Sequence, residues 1–142
     1  MKKKVILISV MFLLISIVIG YGIYYRNIAK NQNNIENRMY QSFYNKEVLG
    51  TDIISVINKA IDSNERNSIE KDNNGNYIEN DKNSIKIDIK FKELEKTVSM
   101  ERINEIGMKN FWKNFSTFNF KCTKIENHSK TNNVKYLFFE QV

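Results

Sequence analysis

Few residues of this chain have the chemistry of an active site, and Asp52 is the first of them. It lies in a sharply patterned stretch, VLGTDIISVINKAI, residues 48–61. A carboxylate can act as a general acid or base, but no histidine lies nearby and no second acid is spaced to share a proton. With Gly50 as N-cap, Leu49 and Ile54 occupy the positions of a hydrophobic staple. Asp52 then falls in the first turn, where the helix dipole favours a carboxylate, so we predict a structural role for it.

A second set of oxygen ligands lies in the polar stretch 62–83. Loop positions 1, 3, 5, 6 and 12 of an EF-hand-like spacing are occupied by Glu70, Asp72, Asn74, Gly75 and Asp81. The match is partial, because such a loop normally begins with Asp, ends with Glu and is flanked by helices. Asn74-Gly75 is also a strong signal for a tight hairpin turn. We therefore predict a hairpin here and keep calcium binding by the 70–81 loop as the alternative.

Histidine and cysteine occur once each, as His128 and Cys122. An intramolecular disulfide and a Cys/His zinc site are therefore excluded. A Ser-His arrangement would have to use His128, which lies in the polar loop NHSKTNN, residues 127–133, and is predicted to be a solvated turn residue. Cys122 alternates with Phe120 on one face of a predicted strand and is expected to be a small buried hydrophobe.

The remaining acids suggest no reaction either. Glu93 and Glu95 flank Leu94 in a polar linker between a predicted strand and a predicted helix, where solvated charge explains them. The chain has no phosphate-binding glycine loop, no G-x-S-x-G and no H-E-x-x-H. We expect a protein that is not an enzyme, with no catalytic, cofactor-binding or metal-ligating residue and no cofactor.

The net charge of +6 raises the question of a nucleic-acid partner. Five of the 22 basic residues precede the first acid, Glu36, which leaves 17 basic against 16 acidic residues and a net charge of +1 for residues 31–142. The segment KNFWKNFSTFNFKCTK, residues 109–124, mixes bases with aromatics as single-strand binders do. Its aromatics have the spacing of a helix core and a strand core, so we expect no nucleic-acid partner.

The basic residues near the N-terminus flank an apolar run. Residues 5–25, VILISVMFLLISIVIGYGIYY, carry no charge and lie between Lys4 and Arg26. A helix of this length, rising ~1.5 Å per residue, just spans a ~30 Å hydrocarbon layer. A cleaved signal peptide would have a shorter apolar region and a small-residue cleavage site. We therefore predict an uncleaved single-pass anchor in the cell membrane, with the N-terminus in the cytoplasm and the C-terminal domain outside.

The elements that follow the anchor are predicted from spacing and caps. Ile28, Ile35, Met39 and Phe43 continue a helical spacing, so the anchor is expected to extend as a stalk to about residue 46. Residues 84–91 alternate as a half-buried strand. Ser99 is the predicted N-cap of a helix that continues to residue 115. Two antiparallel strands follow at 118–126 and 134–140, the second of them central or covered on its far face.

This order predicts an α+β fold: an N-terminal transmembrane helix that continues into a long helix, then a small antiparallel sheet of three to five strands packed by helices. The predicted domains are an N-terminal membrane anchor at residues 1–26, an extracytoplasmic helical stalk at 27–46 and a small α+β domain at 47–142.

The basic start MKKK, the apolar span that runs into an amphipathic helix, and the small α+β head resemble the signal-anchored, pilin-like subunits of Gram-positive bacteria. The resemblance is one of architecture and implies a subunit that assembles with other proteins. The prepilin cleavage motif is absent, and residues 5–25 contain no acid to correspond to the glutamate of pilins.

We therefore expect a membrane-anchored extracytoplasmic domain, a non-enzymatic binding or assembly component of the bacterial cell envelope, pilin-like or secretion-associated. Its partners would be the membrane and either other envelope proteins or further copies of itself. The alternatives are a membrane-tethered ligand- or calcium-binding domain, a small hydrolase, or a DNA-contacting accessory of an uptake apparatus. Exposed apolar surface on the Trp112 helix would favour assembly, whereas clustering of the 70–81 oxygens would favour a metal.

Overall fold

The computed structural model describes residues 2–92 and 95–142. In chain order, the elements of these residues are α1 (Lys2–Gln41), β1 (Glu47–Leu49), α2 (Gly50–Arg66), β2 (Lys86–Phe91), β3 (Lys96–Ser99), α3 (Met100–Ile106), α4 (Met108–Phe115), β4 (Asn119–Asn127) and β5 (Val134–Gln141). The chain divides into two compact units, Met1–Glu36 and Asn37–Val142, and the second is here called the head.

The described part of the first unit, residues 2–36, is helix. Within the described residues, α1 is the one helix long and apolar enough to cross a membrane. Its 18-residue apolar window has a mean hydropathy of 2.0, and none of that window is buried. The predicted helical run through residues 5–25 is confirmed, and its length and composition suit a membrane span or a signal sequence.

The head is an α+β unit, as predicted, built on one five-stranded sheet of order β1-β4-β5-β2-β3. Its strand pairs are antiparallel except β2 and β5, which run parallel, so the sheet is mixed where we predicted an antiparallel one. Hairpins force antiparallel pairing, but β2 reaches β5 only through β3, α3, α4 and β4, a connection long enough for a parallel crossover. The prediction that the last strand is central is confirmed.

One face of the sheet forms the hydrophobic core. Four residues of 0% exposure pair in register across β2 and β5: Ile87 with Leu137 and Ile89 with Phe139. The alternate residues lie on the other face, where the Tyr136 hydroxyl donates a hydrogen bond to Asp88 at 3.0 Å. Strand β2 is therefore the half-buried strand that its alternation predicts.

The C-terminal antiparallel pair is also confirmed, and it contains a β-bulge between Cys122 and Lys124. Phe120 and Cys122 are fully buried, and beyond the bulge Ile125 packs against the same core. The extra residue thus returns an apolar side chain to the core face.

Helix α2 lies over this core with a face of four residues that are at most 1% exposed: Ile53, Val56, Ile57 and Ala60. Its N-cap is Leu49 and not Gly50, so the staple positions shift to Val48 and Ile53. Gly50 is buried as the first helical residue, where a Cβ would lie 1.9 Å from the backbone oxygen of Phe115. This close approach of two chain segments requires a glycine.

The last residues of α1 belong to the head. Tyr40 is 1% exposed within the core, and the Asn37 side-chain oxygen accepts a hydrogen bond from the Val134 backbone N–H at 2.7 Å. The ring of Phe43 packs edge-on against Phe139, with centroids 5.9 Å apart. The head therefore begins at Asn37, ahead of residue 47, because part of the apolar stripe of the stalk is core.

The predicted cap at Ser99 is confirmed, since its hydroxyl accepts a hydrogen bond from the Arg102 N–H at 3.3 Å. The single helix predicted from there to residue 115 is two helices. Gly107 has φ of 101°, which takes the chain out of helical geometry between α3 and α4. The apolar residues of this segment therefore lie on two faces, one on each helix.

Candidate functional site

Asp52 lies in the first turn of α2, as predicted, and its side chain is exposed. It has no hydrogen-bond or ion-pair partner in the part of the chain that the structure describes. A general acid or base is recognised by neighbours within hydrogen-bond reach. The position of Asp52 therefore supports the structural role.

The 70–81 loop forms a tight turn around Asp72. One oxygen of its carboxylate accepts hydrogen bonds from the backbone N–H groups of Asn74 and Asn76, both at 2.9 Å. These backbone donors, that of Asn76 first, lower the pKa of Asp72. Gly75 has φ of 82°, as the turn requires, but the flanking pairing is a single bridge between Lys71 and Tyr77.

The oxygens of this loop do not gather for a cation. The Asp81 carboxylate pairs with Lys130, which lowers the pKa of Asp81. The Asp72 carboxylate accepts hydrogen bonds from backbone N–H groups, and these bonds stabilise its ionised form without a cation. Residues 2–92 and 95–142 contain no group of three or more His, Cys, Asp or Glu that could hold a metal ion.

A cleft of about 440 Å³ lies between this turn and α3. Its lining includes Lys71, Tyr77, Glu101, Arg102 and Glu105. The turn supplies one wall because its backbone folds around Asp72, and α3 supplies the other because Ser99 starts the helix there. Volume alone makes this cleft a candidate binding site.

The charges that line the cleft are already paired. Lys71 lies 3.8 Å from Glu65 and 4.5 Å from the centre of the Tyr77 ring, and Arg102 is paired with Glu105. One Glu101 oxygen accepts a hydrogen bond from the Tyr77 N–H at 3.3 Å.

The other Glu101 oxygen has no hydrogen-bond partner among the described residues, but it is sealed from solvent and therefore cannot receive a ligand without rearrangement. The lining residues that the structure describes include no histidine, serine or cysteine. The described lining of the cleft thus offers polar contacts without the Ser-His or Cys-His pair of a covalent hydrolase.

His128 is buried, with 3% exposure, and the prediction of a solvated turn histidine is wrong. Its ring Nε2 lies 2.8 Å from the backbone oxygen of Ser84, and the backbone N–H of His128 donates to the Asn133 carbonyl at 2.8 Å. A carbonyl only accepts, so Nε2 is the donor and cannot act as a base. The ring fastens the β4–β5 loop to the segment before β2, a role that the polar sequence around it concealed.

Cys122 is buried in the core, as predicted, and burial raises the pKa of its thiol to about 11. A thiol in that state is a poor nucleophile. Glu93 and Leu94 lie outside the described residues, whereas Glu95 is exposed with φ of 45°. The structure brings neither Cys122 nor Glu95 into the cleft.

The aromatic segment 109–124 divides between core and surface. Phe115 packs on Phe91 with centroids 4.6 Å apart, and Phe111 packs on Phe120 at 6.4 Å, so core packing is confirmed for these rings. Trp112 differs, since it is 56% exposed. The outer side of α4 therefore carries a large apolar side chain that the fold does not use.

A shallow apolar groove of about 130 Å³ lies beside α4, between it and the β2–β3 hairpin, and Ile106 on its rim is 51% exposed. Exposed apolar surface on α3 and α4 is the feature that we expected of an assembling protein. Comparisons with family models, with curated proteins and with solved structures gave no match, so the function has to be inferred from the chain's own residues.

Proposed function

We propose that this chain is a membrane-anchored protein of the bacterial cell envelope, whose head lies outside the cytoplasm and works by binding or assembling with other proteins. The observation that carries the proposal is α1, an apolar helix whose window of membrane-spanning length has no buried residue. A soluble helix of such hydropathy gains its stability by burial, so an unburied one needs an apolar surrounding.

The orientation of the anchor rests on charge. Lys2, Lys3 and Lys4 precede the apolar run, whereas only Arg26 and Lys30 follow it before the first acid. Basic residues are enriched on the cytoplasmic side of a membrane span. We therefore place the N-terminus in the cytoplasm and the head outside.

Assembly is supported by the part of the helical stripe that precedes the head. Met39 and Phe43 pack against the core of the head. Ile28 and Ile35 lie on the same helix line, seven residues apart, and are 43% and 68% exposed. Water-exposed isoleucines on one line of a helix are the usual anchors of a helix partner.

A pilin-like role agrees with this arrangement of anchor, helix and small head. The subunit contacts would come from Ile28 and Ile35, since residues 5–25 hold no glutamate of the pilin kind. The partner would be another envelope protein or a second copy of the chain.

Topology is tested with protease added to intact, wall-stripped cells that carry a tag after Val142. We expect loss of the tag and retention of a short membrane fragment. A protected tag contradicts the orientation, and free protein in the medium contradicts the uncleaved anchor.

Assembly is tested by Ile28→Glu together with Ile35→Glu in the full chain, followed by crosslinking in the membrane. We expect the higher-order complexes to disappear. The matched control is Asn27→Glu with Asn34→Glu, which adds the same two charges at exposed positions about 100° around the helix. Equal complexes in both double variants, or none in the wild type, contradict assembly through this stripe.

A calcium-binding or hydrolytic head has less support. Asp72 accepts hydrogen bonds from backbone N–H groups, and Asp81 is paired with Lys130. The described lining of the cleft holds no serine, cysteine or histidine.

A further inference from the structure

The outer side of α4 carries a small basic and aromatic surface, here called the Lys-Trp face: Lys109, Trp112 and Lys113. The three residues are spaced i, i+3 and i+4, which places their side chains together on one side of a helix. All three are exposed, Trp112 at 56%. Phe111, on the opposite side of the helix, is 5% exposed, so that side packs against the core and the Lys-Trp face points outward.

The two lysines of this face form no ion pair within the described residues, although most cations of the sheet and of the 71–81 turn do. Helix α4 itself contains no acid. An indole beside two free ammonium groups therefore forms a local positive surface on a head that is otherwise close to neutral.

We propose that the Lys-Trp face docks on the surface of an anionic lipid membrane. The inference rests on the proposed membrane anchoring and goes beyond it, because the anchor alone requires no contact between head and lipid. Tryptophan favours the headgroup region, where its ring is apolar and its N–H stays hydrated. Lysines beside it reach lipid phosphates while their alkyl stems lie along the interface.

Charge decides between lipid and a second copy of the chain. A symmetric pair of heads meeting through this face would bring four unpaired lysines together. Like charges in an interface are unfavourable. An anionic lipid surface is complementary to the same two charges and needs no matching shape.

Because the anchor holds the head near the membrane, a weak contact between the Lys-Trp face and lipid is sufficient for docking. Residues 26–36 separate the apolar run from the start of the head, and they rise only about 16 Å as helix. A tethered surface meets its target at a high effective concentration. Each lysine near an anionic surface then favours docking about fivefold.

Trp112 is the only tryptophan of the chain, so its fluorescence reports on this face alone. The full chain is reconstituted in vesicles of phosphatidylcholine and in vesicles of equal parts phosphatidylcholine and phosphatidylglycerol. Brominated lipids quench an indole at the interface, and acrylamide quenches one in water. We expect bromolipid quenching and protection from acrylamide in the anionic vesicles, and acrylamide quenching in the neutral ones.

Lys109→Gln with Lys113→Gln should lower the ratio of docked to free head in anionic vesicles by roughly 25-fold. The control, Lys82→Gln with Lys92→Gln, removes two exposed lysines from elsewhere on the head and should leave the ratio unchanged. An equal loss in both double variants would show an effect of net charge and would overturn docking by this face.

Three further outcomes separate the proposals. Protein that floats with the vesicles after alkaline washing, but whose Trp112 stays open to acrylamide in both lipids, overturns the docking and leaves the anchor intact. Protection that is equal in both lipids and rises with the amount of protein per vesicle assigns the face to protein contacts and overturns lipid docking. Protein that is washed off the vesicles overturns the anchor and the docking together.

Discussion

Asn64 fastens helix α2 to the start of strand β2 with two buried hydrogen bonds. It has 0% exposure, and its Nδ2 donates to the Ile85 carbonyl at 2.8 Å while its Oδ1 accepts from the Ile85 N–H at 2.8 Å. Ile85 is itself 6% exposed. The side chain thus takes the place of a neighbouring strand for one residue.

Asn64→Leu keeps much of the volume and removes both bonds. The Ile85 N–H and C=O would then be buried without partners, at a cost of about 1–3 kcal/mol for each group. We expect the free energy of unfolding of the head to fall by about 2–6 kcal/mol, less whatever water entry recovers. For a protein of marginal stability this is a large share of the total.

The measurement is a urea titration of the full chain in nanodiscs, followed by Trp112 fluorescence, which reports on the head. Asn67→Leu is the control, because the Asn67 side chain is partly buried and bonds to the Ser63 carbonyl at 2.9 Å within its own helix end. That variant should lose no more than about 1.5 kcal/mol. A loss below about 1 kcal/mol for Asn64→Leu, or equal losses in the two variants, refutes the reasoning.

Three further predictions follow from single positions. Gly50→Ala should destabilise the head by about 1–3 kcal/mol or more, because its Cβ would overlap the Phe115 backbone, whereas Gly20→Ala, with nothing within 4 Å, should be neutral in the same titration. The raised pKa of Cys122, about 11, should keep its thiol unreactive toward Ellman's reagent at pH 8 until the head unfolds, and fast labelling of the native chain would contradict its burial. Asp52→Asn should lower stability by no more than about 1 kcal/mol and leave crosslinked complexes unchanged, and lost complexes in a folded variant would reopen a functional role.

Local signals predicted the local structure well. The alternation of apolar residues predicted β2, and the two C-terminal apolar runs predicted β4 and β5, because each of these patterns reflects one buried face. Ser99, as an N-cap, predicted the start of α3. The first-turn position of Asp52 followed from the same reasoning. The short strands β1 and β3 were missed, since three or four residues are too few to establish a period.

Contacts between distant segments could not be predicted in this way. The parallel pairing of β2 with β5 depends on the path of the whole chain between them. His128 lies in a polar loop, but its ring is buried where the carbonyl of Ser84, 44 residues earlier, accepts its hydrogen bond. The cleft has the same origin, since its two walls come from the 71–77 turn and from α3.

The central position of β5 has a consequence for how the head is made. Before β5 is synthesised, the chain can form β1 with β4 and β2 with β3, but nothing joins the two pairs, and each has an open edge. Open strand edges invite pairing with other chains. The sheet is completed only when residues 134–141 enter between β4 and β2, which makes β5 the strand that closes the fold. A nascent head is therefore vulnerable to aggregation and proteolysis until that strand arrives. A chaperone that acts during this interval would have its greatest effect.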